Sequence, residues 1–111
     1  MGSTVGVSVL FTDLVDSTAL ASRLGATEAD ELRKVHFALL RGPIATHGGR
    51  EVKTMGDGIM AVSSGVGAAL DAAVAMQRAF DLHNRSAVGP ALSIRVGVAS
   101  GLRRGERRLL R

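Results

Sequence analysis

The sequence predicts an α+β fold: a ferredoxin-like βαββαβ sandwich, in which an antiparallel sheet carries helices on one face. Three features of the sequence lead to this prediction. Alternating apolar residues mark strands at residues 5–11 and 92–100, and helical spacing of apolar residues marks two long helices. A Gly-Asp-Gly tripeptide separates two short β-rich runs. The order is strand, helices, strand, strand, helix, strand, which completes a split βαβ unit by residue 100.

The first half of the chain supplies one strand and two helices. The strand alternates apolar side chains from Val5 to Phe11, and a short helix over residues 16–24 follows it. A capping-box pattern at Thr27–Asp30 predicts the start of a second, longer helix. We expect that helix to end near Gly42-Pro43, or to bend there and continue to His47, because proline removes a backbone donor.

The second half contains a hairpin, a helix and a strand. Residues 51–55 and 59–63 form the hairpin strands, and residues 56–58 form its tip, because glycine readily adopts the positive φ angles of tight turns. Apolar residues at helical spacing then predict a helix over residues 66–84. The last strand, residues 92–100, alternates again.

Composition excludes several classes of protein. The 111 residues suit one domain, with 46% hydrophobic and 22% charged residues. The absence of cysteine excludes disulfides and thiolate sites. No apolar run approaches the roughly 18 residues that span a membrane, and the N-terminus lacks a basic region followed by an apolar stretch. We therefore expect a cytoplasmic protein without a membrane span.

The chain divides into a domain at residues 1–101 and a basic C-terminal tail at residues 102–111. The tail's five arginines and single glutamate account for the whole formal charge of +4. We expect the tail to be unstructured or non-native. Because the charge is confined to the tail, the rest of the chain does not predict a nucleic-acid-binding surface.

Two aspartates are candidates for chemistry. Asp13 follows the first strand, and Asp57 sits at the hairpin tip, whose flanking strand should neighbour the first strand. This topology predicts that both carboxylates reach the same edge of the sheet. Two adjacent carboxylates repel unless a cation lies between them, and Mg²⁺ is commonly held by one or two carboxylates together with substrate phosphates.

The segment after Asp13 strengthens this interpretation. Residues 14–18 lead into a helix whose first N–H groups are free to receive phosphate. The alternative is structural, because aspartate is also a common turn and helix-cap residue. Taken together, the two carboxylates and this loop predict a two-carboxylate site for metal-assisted phosphoryl chemistry.

Three blocks of the sequence resemble the catalytic domain of class III adenylate and guanylate cyclases. They are FTDLVDST at residues 11–18, GREVKTMGDG at residues 49–58, and IRVGVASG at residues 94–101. The blocks stand in the family's order and at about its spacing. The resemblance implies two Mg²⁺ or Mn²⁺ ions, with metal ligands Asp13, Leu14 and Asp57. It also implies nucleotide contacts at Val15, Asp16, Ser17, Thr18, Lys53 and Gly56.

The resemblance implies a reaction as well as a site. In the family, one ion activates the ribose 3′-hydroxyl, which attacks the α-phosphorus in line, while the other ion holds the triphosphate and pyrophosphate leaves. Lys53 stands where adenylate cyclases keep a purine-selecting lysine, which favours ATP as substrate and cyclic AMP as product. Family sites lie between two domains, which implies a homodimer or a heterodimer with another cyclase domain.

The sequence departs from the family after residue 101. The family's second half contains a V-N-x-A-x-R helix whose Asn and Arg complete the active site, and these 111 residues contain no such segment. Loss of one oxyanion-type donor costs about 10²–10³ in rate, so we expect negligible turnover by this chain alone.

The sequence is also compatible with other functions. The first alternative is a degenerate nucleotide-binding or regulatory dimerisation module without turnover. A second is another palm-like fold such as a diguanylate cyclase, although that hairpin carries an acidic pair instead of Gly56-Asp57-Gly58. A ferredoxin-like RNA binder is disfavoured because its sheet needs exposed aromatic residues for base stacking.

Overall fold

The computed structural model describes residues 5–86 and 90–103, and within them it confirms the predicted α+β fold. The helices and strands also follow the predicted order. They are β1 (Val5–Leu14), α1 (Ser17–Arg23), α2 (Ala26–Thr46), β2 (Arg50–Met55), β3 (Gly58–Ser63), α3 (Val66–Ser86) and β4 (Ile94–Arg103).

The four strands form one sheet in the order β2-β3-β1-β4, with every neighbouring pair antiparallel. The hairpin strand β3 therefore lies beside β1, as predicted. Phe11 pairs with Met60 on β3 and with Gly97 on β4, and Asp13 pairs with Arg95. This register places the end of β1 beside the start of β3, which is where the hairpin turn lies.

The helices cover one face of the sheet, and the core lies between them. Leu10, Ile59 and Ala61 on the sheet are buried against Leu40 of α2 and Met76 of α3. The apolar transfer free energy of such fully buried side chains, about 1.5–3 kcal/mol each, holds the layers together.

The other face of the sheet is more open. Val7 and Val9 are half-buried, and Phe11 is 38% exposed. The alternating apolar residues that predicted β1 thus face away from the helices. The helices cover the residues that alternate with these along β1, including Ser8 and Thr12. The Ser8 hydroxyl is hydrogen-bonded to the Ser100 hydroxyl, and the Thr12 hydroxyl accepts from the Ile59 N–H.

Helix α2 begins earlier than the capping box predicted. Its N-cap is Gly25, no side chain caps it, and the Gly25 carbonyl accepts from the Ala29 N–H, so Thr27 lies inside the helix. At the other end the helix continues through Pro43 to Thr46, which is the second of the two predicted endings.

The last strand is longer than predicted. β4 pairs with β1 as far as Arg103, which lies opposite Val5, so ordered structure passes the predicted boundary at residue 101. The rest of the predicted tail, residues 104–111, lies outside the described residues. Within residues 5–86 and 90–103, no helix combines the length and apolar character that crossing a membrane requires.

Candidate functional site

The structure brings Asp13 and Asp57 to the same end of the sheet because β1 and β3 approach unusually closely there. A Cβ built on Gly58 would lie 1.8 Å from the Thr12 carbonyl oxygen and 3.5 Å from the Asp13 Cα. Only glycine permits this approach. The buried Thr12 hydroxyl accepts a 2.9 Å hydrogen bond from the Ile59 N–H and fixes the two strands together.

The hairpin turn that carries Asp57 is short. Met55 pairs with Gly58, so Gly56 and Asp57 alone connect β2 to β3, and Gly56 adopts a φ of +59°. A positive φ in a two-residue turn matches the right-handed twist of the strands. The turn therefore holds the Asp57 backbone beside the end of β1.

Each aspartate is paired with one arginine. Arg33 of α2 donates from Nη1 to Asp57 Oδ1 at 3.0 Å, and Arg95 of β4 donates from Nη2 to Asp13 Oδ2 at 2.9 Å. Asp13 is 57% exposed and Asp57 27% exposed. Each of the two carboxylate charges is thus partly offset by its own guanidinium group.

The donor set fits a divalent cation. Among the described residues, Asp13 Oδ1 and Asp57 Oδ2 have no hydrogen-bond donor, so one oxygen of each carboxylate is available while the other pairs with arginine. Carboxylate oxygens are the ligands that Mg²⁺ prefers, with waters and phosphate oxygens completing its coordination. The described residues contain no group of three or more acidic, histidine or cysteine side chains that could hold a metal ion. A cation here would therefore rest on two carboxylates.

The segment after Asp13 begins helix α1 in a strained conformation. Asp16 is the N-cap with a φ of +56°, its side chain makes no cap hydrogen bond, and its carbonyl accepts from the Leu20 N–H. The Val15 N–H is occupied, since it donates to the Ser93 carbonyl at 2.8 Å. The N–H groups of Ser17 and Thr18 lie in the first turn, where no intrahelical acceptor exists.

Lys53 lies on the same open face of the sheet as Asp13. Residues directly opposite on neighbouring strands project to the same face. Lys53 pairs with Met60, Met60 pairs with Phe11, and Asp13 is two residues along β1 from Phe11. Lys53 is exposed and follows an irregularity in the β2–β3 pairing after Glu51.

His36 of α2 is a buried residue near Asp57 and Asp13. Its side chain is 1% exposed, and neither ring nitrogen has a hydrogen-bond partner among the described residues. Burial lowers the pKa of His36, the nearby Asp57 and Asp13 carboxylates act in the opposite direction, and Arg33 adds to the lowering. The imidazole packs against Phe37 and Phe80 at centroid distances of 4.8 and 5.9 Å.

A cavity of about 310 Å³ opens beside the turn, between α1 and α2. Its walls are mainly leucine and alanine side chains, and its polar corner contains Asp30, Arg33 and Asp57. Leu14 and Ser17 also line it, so it adjoins the segment that follows Asp13.

Sequence reasoning missed the two arginines. Arg95 is exposed, and it pairs with Asp13 because it stands opposite that residue in the β1–β4 register. Nothing in the local sequence marks Arg33, because its role depends on how α2 crosses the hairpin.

Comparison with known proteins places this geometry in a family. Residues 1–105 match the family model of the adenylate and guanylate cyclase catalytic domain. The soluble guanylate cyclase gcy-31 of Caenorhabditis elegans is 42% identical over 57 residues, which are 51% of this chain and 8% of that protein.

Solved structures agree in fold. A bacterial light-regulated adenylyl cyclase matches with a TM-score of 0.82 at 21% identity, covering 89% of this chain and 55% of that one. The guanylyl cyclase Cya2 matches with a TM-score of 0.77 at 25% identity, covering 92% of this chain and 57% of that one. The chain thus spans little more than half the length of these structures. Because the family model covers nearly all of it, the chain belongs to the adenylate and guanylate cyclase catalytic domain family.

Proposed function

We propose that this chain supplies the metal-binding half of a nucleotide cyclase active site, in which Asp13 and Asp57 hold two divalent ions, Mg²⁺ or Mn²⁺. The observation that carries the proposal is the position of Asp13 and Asp57 at adjacent strand ends, where one oxygen of each carboxylate is bonded to an arginine and the other has no donor among the described residues. When bound, the ions would neutralise the triphosphate and lower the pKa of the attacking 3′-hydroxyl.

The residues of this chain have separate roles in that proposal. Asp13 and Asp57 contribute carboxylate oxygens, and the Leu14 backbone lies beside them at the end of β1. The N–H groups of Ser17 and Thr18 have no intrahelical acceptor, and in this proposal they would donate to the triphosphate. Val15, Asp16 and Gly56 shape the loop and turn around it, although the Val15 N–H is already bonded to Ser93.

The substrate we propose is ATP, and the product cyclic AMP with pyrophosphate. Lys53 supports this choice because it lies exposed on the open face that also carries Asp13, where its ammonium can donate to a purine acceptor. The matched relatives include both adenylyl and guanylyl cyclases, so the resemblance alone does not choose between ATP and GTP.

Catalysis requires groups that these 111 residues do not contain. We propose that they come from a second cyclase domain, which supplies Lys, Asn and Arg across a dimer interface. These 111 residues by themselves would then turn over very slowly, since each missing donor of this kind costs about 10²–10³ in rate.

Complementation tests the proposal. The chain is mixed with a full-length relative whose own metal aspartates are replaced by alanine, and cyclic AMP is measured with Mn²⁺ and ATP. We expect activity, because Asp13 and Asp57 complete one site in each heterodimer. The matched control is the same mixture prepared with the double variant Asp13→Asn, Asp57→Asn of this chain. Its cyclic AMP production should remain at background.

The reciprocal mixture completes the experiment. A partner that keeps its aspartates but lacks its Asn and Arg should stay inactive with this chain. Activity there, or in this chain alone, would contradict the proposed division of roles. If the first mixture binds nucleotide and forms heterodimers yet makes no cyclic AMP, the chain is a non-catalytic nucleotide-binding module.

A further inference from the structure

Arg33 ties helix α2 to the hairpin turn at two points. Its Nη1 donates to Asp57 Oδ1 and its Nη2 donates to the Gly56 carbonyl oxygen, each at 3.0 Å. Its guanidinium carbon also lies 5.2 Å from the centre of the Phe37 ring. One rigid fork therefore fixes both the backbone of the turn and the side chain of the candidate metal ligand.

The position of this fork leaves the other carboxylate oxygen available. Asp57 Oδ2 has no hydrogen-bond donor among the described residues. Holding Oδ1 from the helix side restricts rotation of the carboxylate, so that Oδ2 is presented in a fixed direction. Hydrogen bonds to ligating carboxylates act in this way in metal sites, and their loss typically costs about 10–100-fold in metal affinity.

We propose that Arg33 is a positioning residue for Asp57: its two-point contact with the Gly56-Asp57 turn sets the orientation in which Asp57 binds a divalent cation. This inference rests on the proposed metal role of Asp57. It assigns a function in the site to helix α2, which contains none of the site residues predicted from the sequence.

The positive charge of Arg33 acts in the opposite direction, because a cation near the site repels a metal ion. That repulsion is weakened by solvent, since the Arg33 side chain is 50% exposed. The two hydrogen bonds depend on the planar fork, which lysine cannot reproduce although it keeps the charge. The two effects therefore separate in the variant Arg33→Lys.

Arg41 offers a matched control on the same helix. It also makes a two-point contact, from Nε and Nη2 to the Glu51 carboxylate at 2.7 and 3.2 Å, and it lies 5.1 Å from the Phe37 ring. Arg41 thus resembles Arg33: it lies on the same helix, is about equally exposed, lies near the same aromatic ring and makes two hydrogen bonds. Unlike Arg33, it contacts no candidate metal ligand.

The first measurement is Mn²⁺ affinity by titration calorimetry for the wild-type chain, Arg33→Lys, Arg33→Gln and Arg41→Lys. We expect both Arg33 variants to bind Mn²⁺ about 10–100-fold more weakly, and Arg41→Lys to bind within about twofold of wild type. Equal or tighter binding by Arg33→Lys would overturn the inference. Tighter binding by Arg33→Gln would overturn it as well, because charge repulsion would then outweigh positioning.

The second measurement needs no metal. Amide hydrogen exchange of residues 56–58 is compared in the same four proteins at one pH. We expect faster exchange in this turn for Arg33→Lys and Arg33→Gln, and no change for Arg41→Lys. Unchanged exchange in both Arg33 variants would overturn the inference by itself.

The two measurements distinguish the inference from the proposal beneath it. If wild type binds Mn²⁺ and the Arg33 variants bind it equally well, only the role of Arg33 is wrong. If wild type does not bind Mn²⁺, the metal role of Asp57 and the role of Arg33 are both wrong.

Discussion

Replacement of Gly58 by alanine is the sharpest perturbation of the geometry that brings Asp13 and Asp57 together. The added Cβ would lie 1.8 Å from the Thr12 carbonyl oxygen and 2.9 Å from the Thr12 carbonyl carbon. Both atoms belong to the backbone, so no side-chain rotation relieves the contact. Strands β1 and β3 must separate by more than about 1 Å to restore ordinary contact distances.

The cost follows from what that separation breaks. The Ile59 N–H loses its 2.9 Å bond to the buried Thr12 hydroxyl, and an unsatisfied buried donor costs about 1–3 kcal/mol. Overpacking a core adds about 1–3 kcal/mol. We expect Gly58→Ala to lower the free energy of unfolding by about 2–6 kcal/mol, a large part of a small domain's stability.

Urea unfolding followed by circular dichroism measures this loss, and Gly97→Ala is the matched control. Gly97 also lies in a strand beside β1, but a Cβ built there meets nothing within 4 Å. We expect this variant to match wild type or to gain up to about 1 kcal/mol, because alanine loses less entropy than glycine on folding. Losses of similar size in the two variants would refute the close-approach reasoning.

Two further predictions concern other parts of the molecule. Burial lowers the pKa of His36, so the unfolded chain binds a proton more readily. The free energy of unfolding should therefore be constant above about pH 6.5 and should decrease below that pH, by at most about 1.4 kcal/mol per pH unit. Urea unfolding of wild type and His36→Leu between pH 5 and 8 should show this decrease in wild type only. Among residues 5–86 and 90–103, β4 forms one edge of the four-stranded sheet, and exposed edges invite pairing. We expect dimers or larger species in light scattering at high concentration, and a strictly monomeric profile would count against this.

The sequence predicted the parts of the fold that depend on local patterns. Gly56-Asp57-Gly58 marks a hairpin in any context, because the turn needs a positive φ that glycine adopts readily. Alternation likewise marked β1 without showing which of its faces the helices cover. The buried face includes Ser8 and Thr12, whose hydroxyls are satisfied by partners distant in sequence.

The candidate site, like the fold, could be predicted from the sequence only in part. Asp13 and Asp57 could be paired from topology, because adjacent antiparallel strands meet at one end of the sheet. Arg33 could not be found, since its contact with Asp57 depends on the path of α2 over the hairpin. The predicted start of α2 was wrong for a related reason. The Gly25 carbonyl accepts the hydrogen bond that closes the first turn, and the Thr27 side chain is not needed as a cap.

Divalent-cation binding tests the central claim most directly. Titration calorimetry with Mn²⁺ and a non-hydrolysable ATP analogue compares wild type with Asp13→Asn, Asp57→Asn and the double variant, with Asp71→Asn on the outer surface of α3 as control. We predict that wild type binds Mn²⁺ weakly and that the nucleotide analogue tightens this binding. Asp71→Asn should retain the binding, and each of the variants Asp13→Asn and Asp57→Asn should lose it. Equal binding by wild type and the double variant would contradict the claim that these two carboxylates form the metal site.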